Sequence, residues 1–286
     1  MTSIPAEPVA FDCGEVVLRG DRWAGGPRGE VLFLHGGGQT RHSWGAAASG
    51  LAGQGWNTTN LDLRGHGDSD WSPGGAYSMD GYAGDIAQVV EALGRGVVLV
   101  GASLGGLTSL TVAGRDAGAA RALVLVDIVP RTAAAGVARI GAFMRAHLEG
   151  FDTLDDVADA VAEYTRRPRR RNPEGLKKNV RQRPDGRWYW HWDPAMMQIV
   201  PADEPHPGTE PAPLLELARQ VRVPVLVVRG GRSDVVDDEG IAEFLEAVPD
   251  ARVTRVSDAG HMVAGDDNDD FAGAISAFLR DLDPAS

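Results

Sequence analysis

The sequence predicts an α/β fold, a mostly parallel sheet flanked by helices and interrupted once by an inserted, mainly helical lid. Three observations carry this expectation. Short β-rich apolar runs recur along the chain, segments of helix length separate most of them, and the alternation breaks between about Pro130 and Pro213 before it resumes.

In chain order the runs are EVLFLH (30–35), WNTTNLDL (56–63), VVLVGA (97–102), ALVLVDI (122–128), VPVLVVRG (223–230) and ARVTRVS (251–257). Segments 79–93, 103–117 and 235–248 lie between them with the length of crossover helices, and 267–282 reads as a closing helix. The expected division is therefore a first part of the core at 1–130, a lid at 131–212 and a second part of the core at 213–286. No internal repeat is present.

A length of 286 residues accommodates one sizeable domain with an insertion. A net charge of −12 and a pI near 5.0 argue against nucleic acid or an anionic membrane surface as the main partner. No stretch approaches the roughly 18 apolar residues of a membrane span. The start MTSIPAEPVAFDCGE has neither a basic leader nor an apolar core, so a complete, unexported, cytoplasmic chain is expected. Cys13 is the only cysteine. It excludes an internal disulfide and a cysteine-built metal cluster, and neither a metal nor a cofactor is expected.

The lid has its own character. Residues 166–187 carry ten Lys or Arg against Glu174 and Asp185, and WYWHW (188–192) follows with three of the seven tryptophans. A solvated basic face over an aromatic strand suits an acidic protein better than nucleic-acid stacking does. Alternation sends Trp188, Trp190 and Trp192 to one face and Tyr189 and His191 to the other.

The chemistry centres on GASLG (101–105), where an apolar run meets a helical pattern. A sharp strand-to-helix turn forces the residue at its tip into a strained backbone, and only small neighbours avoid a clash. A serine there is exposed at the tip of a nucleophile elbow. Ser103 then needs a base and an orienting acid. His261 follows the last strand at the sheet edge where ligands bind in open α/β folds. Asp234, four residues past Gly230, is the favoured acid, and Asp127 at the end of LVLVD competes with it. HGGG (35–38) leaves backbone N–H groups free to meet a developing oxyanion, with the Leu104 N–H as the second donor.

The sequence resembles the α/β-hydrolase fold-1 family. HGGG (35–38), DLRGHGDSD (62–70), GASLGG (101–106), RGGRSD (229–234) and GH (260–261) match its landmarks in order across nearly the whole chain. The resemblance implies Ser103 as nucleophile, His261 as base, Asp234 as acid, and Gly37 and Leu104 as oxyanion donors, with no catalytic part for Arg64, His66 or Asp68. The serine at the elbow speaks against epoxide hydrolases and haloalkane dehalogenases, which need an aspartate there. The lid matches no landmark, so Gly38, Met144, Trp188, Trp190 and Trp192 are candidate substrate contacts from position and composition alone.

The leading expectation is a metal-free serine hydrolase of carboxylic esters or lactones, acting on a small molecule as a monomer or homodimer. The alternatives are a cofactor-free peroxidase or perhydrolase, a C–C bond hydrolase with the same triad, and a ligand receptor that keeps the fold without catalysis.

Overall fold

Each of the six expected runs forms a strand, and along the central ones the alternation of side chains feeds two cores. The structure, a computed structural model, describes residues 4–166, 168–169, 171–197, 208–257, 260 and 271–282. The strands are β3 (Glu30–Leu34), β4 (Asn57–Leu61), β5 (Val97–Ala102), β6 (Ala120–Val126), β9 (Val225–Gly230) and β10 (Arg252–Val256). Ahead of them, β1 (Glu7–Asp12) and β2 (Val17–Trp23) form a hairpin that the sequence reading did not anticipate. The eight strands run in the order β1-β2-β4-β3-β5-β6-β9-β10, antiparallel only where β2 meets β1 and β4.

On one face, Leu32, Leu34, Leu99, Leu123, Leu125 and Val227 pack beneath α2 (Met79–Leu93), α3 (Leu104–Arg115), α6 (Pro211–Ala218) and α7 (Asp238–Ala247). On the other, Phe33, Val98, Val100, Val124 and Val228 meet α1 (Gly45–Ala52), Trp44, Trp56 and α8 (Ala272–Leu282). This two-sided burial requires runs apolar on both faces, which is why the central strands read so plainly. The crossovers leave the carboxyl ends of β3, β5, β6 and β9 side by side at one edge.

Between β6 and β9 the chain leaves the sheet. It forms α4 (Ala134–Arg145), α5 (Leu154–Thr165) and a small antiparallel pair, β7 (Val180–Gln182) with β8 (Trp188–Trp190), before α6. The first turn of α5 is closed by a capping box in which the Thr153 hydroxyl accepts from the Asp156 N–H and the Asp156 carboxylate accepts from the Thr153 N–H. Much of the basic stretch is neutralised: Arg169 pairs with Asp155 and Asp159, Lys177 with Glu174, Arg187 with Asp152, and Arg181 with Asp68 of the core. Cys13 is buried, its thiol near the backbone carbonyls of Phe11 and Asp85, and burial pushes its pKa up to about 12. Among the described residues no helix is long and apolar enough to cross a membrane.

Candidate active site

Ser103 sits between the end of β5 and the start of α3 with φ 46° and ψ −115°. A non-glycine residue there costs about 1–3 kcal/mol and persists because its surroundings leave no alternative. Those surroundings are glycines. A Cβ on Gly101 would lie 2.2 Å from the Gly105 carbonyl oxygen, one on Gly105 would lie 2.5 Å from that of Leu34, and one on Gly106 would lie 2.4 Å from Ile128 Cγ2. The elbow can turn only because these three positions carry no side chain.

The glycine run after β3 lies against this elbow. The Gly105 N–H donates to the His35 carbonyl at 3.1 Å, and a Cβ placed on Gly36 would stand 3.3 Å from Ser103 Cβ. Among the described residues, neither the Gly37 N–H nor the Leu104 N–H has an acceptor. Both amides, one on the residue after Ser103 and one on the residue after Gly36, are therefore free to donate.

The two carboxylates occupy adjacent strand exits in different settings. Asp127 follows β6 directly, is buried, and has φ 49°. The Gly230 N–H donates to its Oδ1 and the Ser233 hydroxyl to its Oδ2, each at 2.8 Å. The Ser103 N–H donates to Val126, the residue just before it. Asp234 is 41% exposed at its side chain and is gripped by the guanidinium of Arg139 on α4, with Nε to Oδ2 at 2.7 Å and an Nη to Oδ1 at 2.9 Å. Arg139 also covers the Tyr164 ring, 4.4 Å from its centroid. His261 lies outside the described residues.

A model of the alpha/beta hydrolase fold matches residues 30–267. The chain belongs to this family. It is 32% identical over 255 residues to an esterase from Mycobacterium tuberculosis, covering 86% of this chain and 80% of the relative. It is 29% identical over 242 residues to a 3-hydroxybutyrate-oligomer hydrolase from Cupriavidus necator, covering 81% and 82%. The crystal structure of an E-2-(acetamidomethylene)succinate hydrolase superposes with a TM-score of 0.76 at 25% identity, covering 98% of both chains. With relatives of these kinds over most of its length, the chain is a hydrolase.

The residues between β6 and β9 of this hydrolase reach the glycine run at two of the expected positions. A Cβ on Gly37 would be 3.7 Å from Met144 Sδ, and one on Gly38 would be 3.4 Å from Trp192 Cζ3 and 3.5 Å from Met144 Cε. Trp190 stacks on Trp192 with centroids 4.7 Å apart and meets Phe143 and Phe151, so it packs within the insert. Trp188 is half-buried, exchanges backbone hydrogen bonds with Phe151 and lies 6.0 Å from the Lys177 ammonium. His191 points the other way, as the alternation implies, toward the loop after β4.

That loop holds an arrangement the sequence reading missed. His35, His66 and His191 are wholly buried with their rings in a row, the first two centroids 4.9 Å apart and the last two 6.2 Å apart. Burial lowers the pKa of His35 to about 4 and of His66 to about 3, and takes His191 well below its usual value. The signal was weak because three isolated histidines, 31 and 125 positions apart, form no motif in one sequence. Beside them Arg64 is committed to Asp85 through two hydrogen bonds of 2.6 Å, and Asp68 to Arg41 and Arg181, which suits the structural parts expected of them.

Proposed function

We propose that the protein hydrolyses carboxylic esters through an acyl-enzyme on Ser103. The observation that carries this reading is the strained serine at the elbow, together with the free amides of Gly37 and Leu104. Ser103 Oγ attacks the ester carbonyl carbon while His261 takes its proton. The negative charge moves to the carbonyl oxygen, which accepts hydrogen bonds from the two amides. Collapse of this intermediate breaks the bond to the alcohol oxygen, which leaves with the proton held by His261. Water, deprotonated by the same histidine, then attacks the acyl carbon and frees Ser103. One oxyanion donor in such a site is worth about 3 kcal/mol. No metal or cofactor enters the scheme.

For the acid that orients His261, the setting of Asp127 supports it ahead of Asp234. A carboxylate that steadies an imidazolium must stay shielded from water and keep its charge. Asp127 is buried and receives an amide and a hydroxyl, both neutral donors. Asp234 is half-exposed and already faces an arginine. The role of Asp234 as acid is the second reading, supported by its place after β9.

The insert acts as a lid in this account, with Met144 and Trp192 bordering the substrate beside Gly38. An ester substrate is supported by relatives named esterase and oligomer hydrolase. The test is turnover of p-nitrophenyl acetate and butyrate, with and without hydrogen peroxide. Saturable hydrolysis that needs no peroxide is expected. Activity on neither ester, or only with peroxide present, would overturn the reading.

A further inference from the structure

The amide of Gly38 is tied to a histidine. Its N–H donates to His66 Nε2 at 3.2 Å, and Gly38 takes φ +75°, which glycine adopts without strain. One peptide earlier, the Gly36 carbonyl receives His35 Nδ1 at 2.7 Å and the Gln39 N–H at 3.0 Å. That carbonyl belongs to the same planar unit as the Gly37 N–H and points opposite to it, so fixing one aims the other. The amide proposed to meet the oxyanion is therefore set by hydrogen bonds on the far side of its own peptide.

The histidines making those bonds are braced in turn. The Leu63 N–H donates to His35 Nε2 at 3.0 Å, and His66 Nδ1 is 3.0 Å from the Arg64 carbonyl. His191 comes from the insert. Its Nδ1 accepts the Gly67 N–H at 2.7 Å, and its Nε2 turns toward the Gly38 backbone without reaching a full hydrogen bond. A ring nitrogen that accepts an N–H carries no proton, so all three rings are neutral: His35 and His66 are protonated at Nδ1, and His191 at Nε2. Three residues from three segments thus form one continuous brace, running from the insert through the loop after β4 to the glycine run.

We propose that His66 and His191 are positioning residues, which let the seated insert hold the Gly37–Gly38 backbone in the geometry that stabilises the oxyanion. The inference rests on the Ser103 reading above and deepens it. Neither residue touches the reacting atoms. Each acts through the glycine run, and His191 makes the quality of the oxyanion site depend on the docking of the insert.

The experiment compares His66→Phe and His191→Phe, which keep ring volume and remove the acceptor, with His66→Gln and His191→Asn, which return an acceptor near the lost nitrogen. For p-nitrophenyl butyrate the phenylalanine variants should lose about tenfold or more in kcat, below the 10²–10³ typical of deleting a whole donor. KM should stay within about twofold, and the Gln and Asn variants should regain most of the loss. Folded phenylalanine variants with wild-type kcat would overturn the proposal, as would Gln and Asn variants no better than phenylalanine. Nitrogen-15 NMR of the histidine rings in the wild-type protein supplies a test that needs no variant. Neutral rings with the stated tautomers from pH 7.5 to 5.5 are expected, and a His66 or His191 that titrates near 6.5 would overturn it. Ser103→Ala is assayed alongside. If that variant keeps its activity, the Ser103 reading fails; if it is inactive while folded His→Phe variants match wild type, only the present inference fails.

Discussion

Asp127 and Asp234 leave neighbouring strands, β6 and β9, yet one is turned into the protein and the other out to the insert. The inward carboxylate meets the Gly230 amide and the Ser233 hydroxyl, which lower its energy without cancelling its charge. The outward one meets the guanidinium of Arg139, and the turn around it is the seat of α4. The Ala133 N–H donates to the Val235 carbonyl, and a Cβ on Gly136 would strike the Asp234 carbonyl oxygen at 2.2 Å. We propose that the partners of each carboxylate, and not its position at a strand exit, decide its task. In this account the inward turn serves the chemistry and the outward turn anchors the insert.

The sharpest way to break that contrast is to neutralise each carboxylate in turn. Asp127→Asn should lower kcat by about 10⁴-fold, as loss of the orienting acid does in other triads, and Asp234→Asn by less than about tenfold. Melting curves must accompany the kinetics, since Asp127→Asn also disturbs the bond from Gly230 or Ser233. The opposite ranking in folded variants would return the role to Asp234.

A second effect separates the histidine brace from the ion pairs of the outward side. His35, His66 and His191 have folded pKa values below the unfolded value of 6.5, so the unfolded chain binds protons that the folded one refuses. Their contribution is complete above pH 6.5 and is lost as pH falls toward 4. Between pH 7.5 and 5.5 this amounts to about 1 kcal/mol for each of His35 and His66, and His191 acts in the same direction. The charged and titratable groups that face the row are Arg41, His42, Asp62, Asp193 and Arg181. Burial works to raise the Asp68 carboxyl, but hydrogen bonds from Arg41 and Arg181 bring it below its ordinary value, so it titrates at lower pH. Urea unfolding at the two pH values measures the loss, and equal stability at both would contradict neutral buried rings.

Within the insert, Trp192→Ala should raise KM for long or aromatic esters about tenfold while acetate turnover changes by only a few-fold, because Trp192 borders Gly38. Trp188→Ala should leave both nearly unchanged. Equal losses on every ester would make Trp192 a packing residue. The smallest effect is expected from Arg139→Met. Its half-exposed pair with Asp234 is worth under about 1 kcal/mol, so melting should shift slightly and kcat change only a few-fold. A collapse of kcat in this variant would tie Asp234 to the chemistry after all.

These contrasts also show what the sequence could tell. The central strands were legible because burial on both faces demands apolar runs, and the elbow because its glycines answer a steric need visible in five letters. The β1–β2 hairpin was not legible: EPVAFD is mostly exposed or half-buried and lacks a clear apolar stripe. α1, GAAASGLA, offers small residues in place of a helical apolar pattern. Both aspartates were found, but the Arg139 that distinguishes them lies 95 positions from Asp234, and only the folded chain brings it there. Trp190 and Trp192 share a face as alternation implied; which of them borders the glycine run depends on how the insert sits.

The central claim is that Ser103 is the nucleophile, and intact-mass spectrometry after treatment with a fluorophosphonate tests it most directly. The account predicts one adduct on the wild-type protein, mapped by peptide analysis to Ser103, and none on a folded Ser103→Ala variant. An adduct that persists in that variant, or maps to another residue, would contradict it.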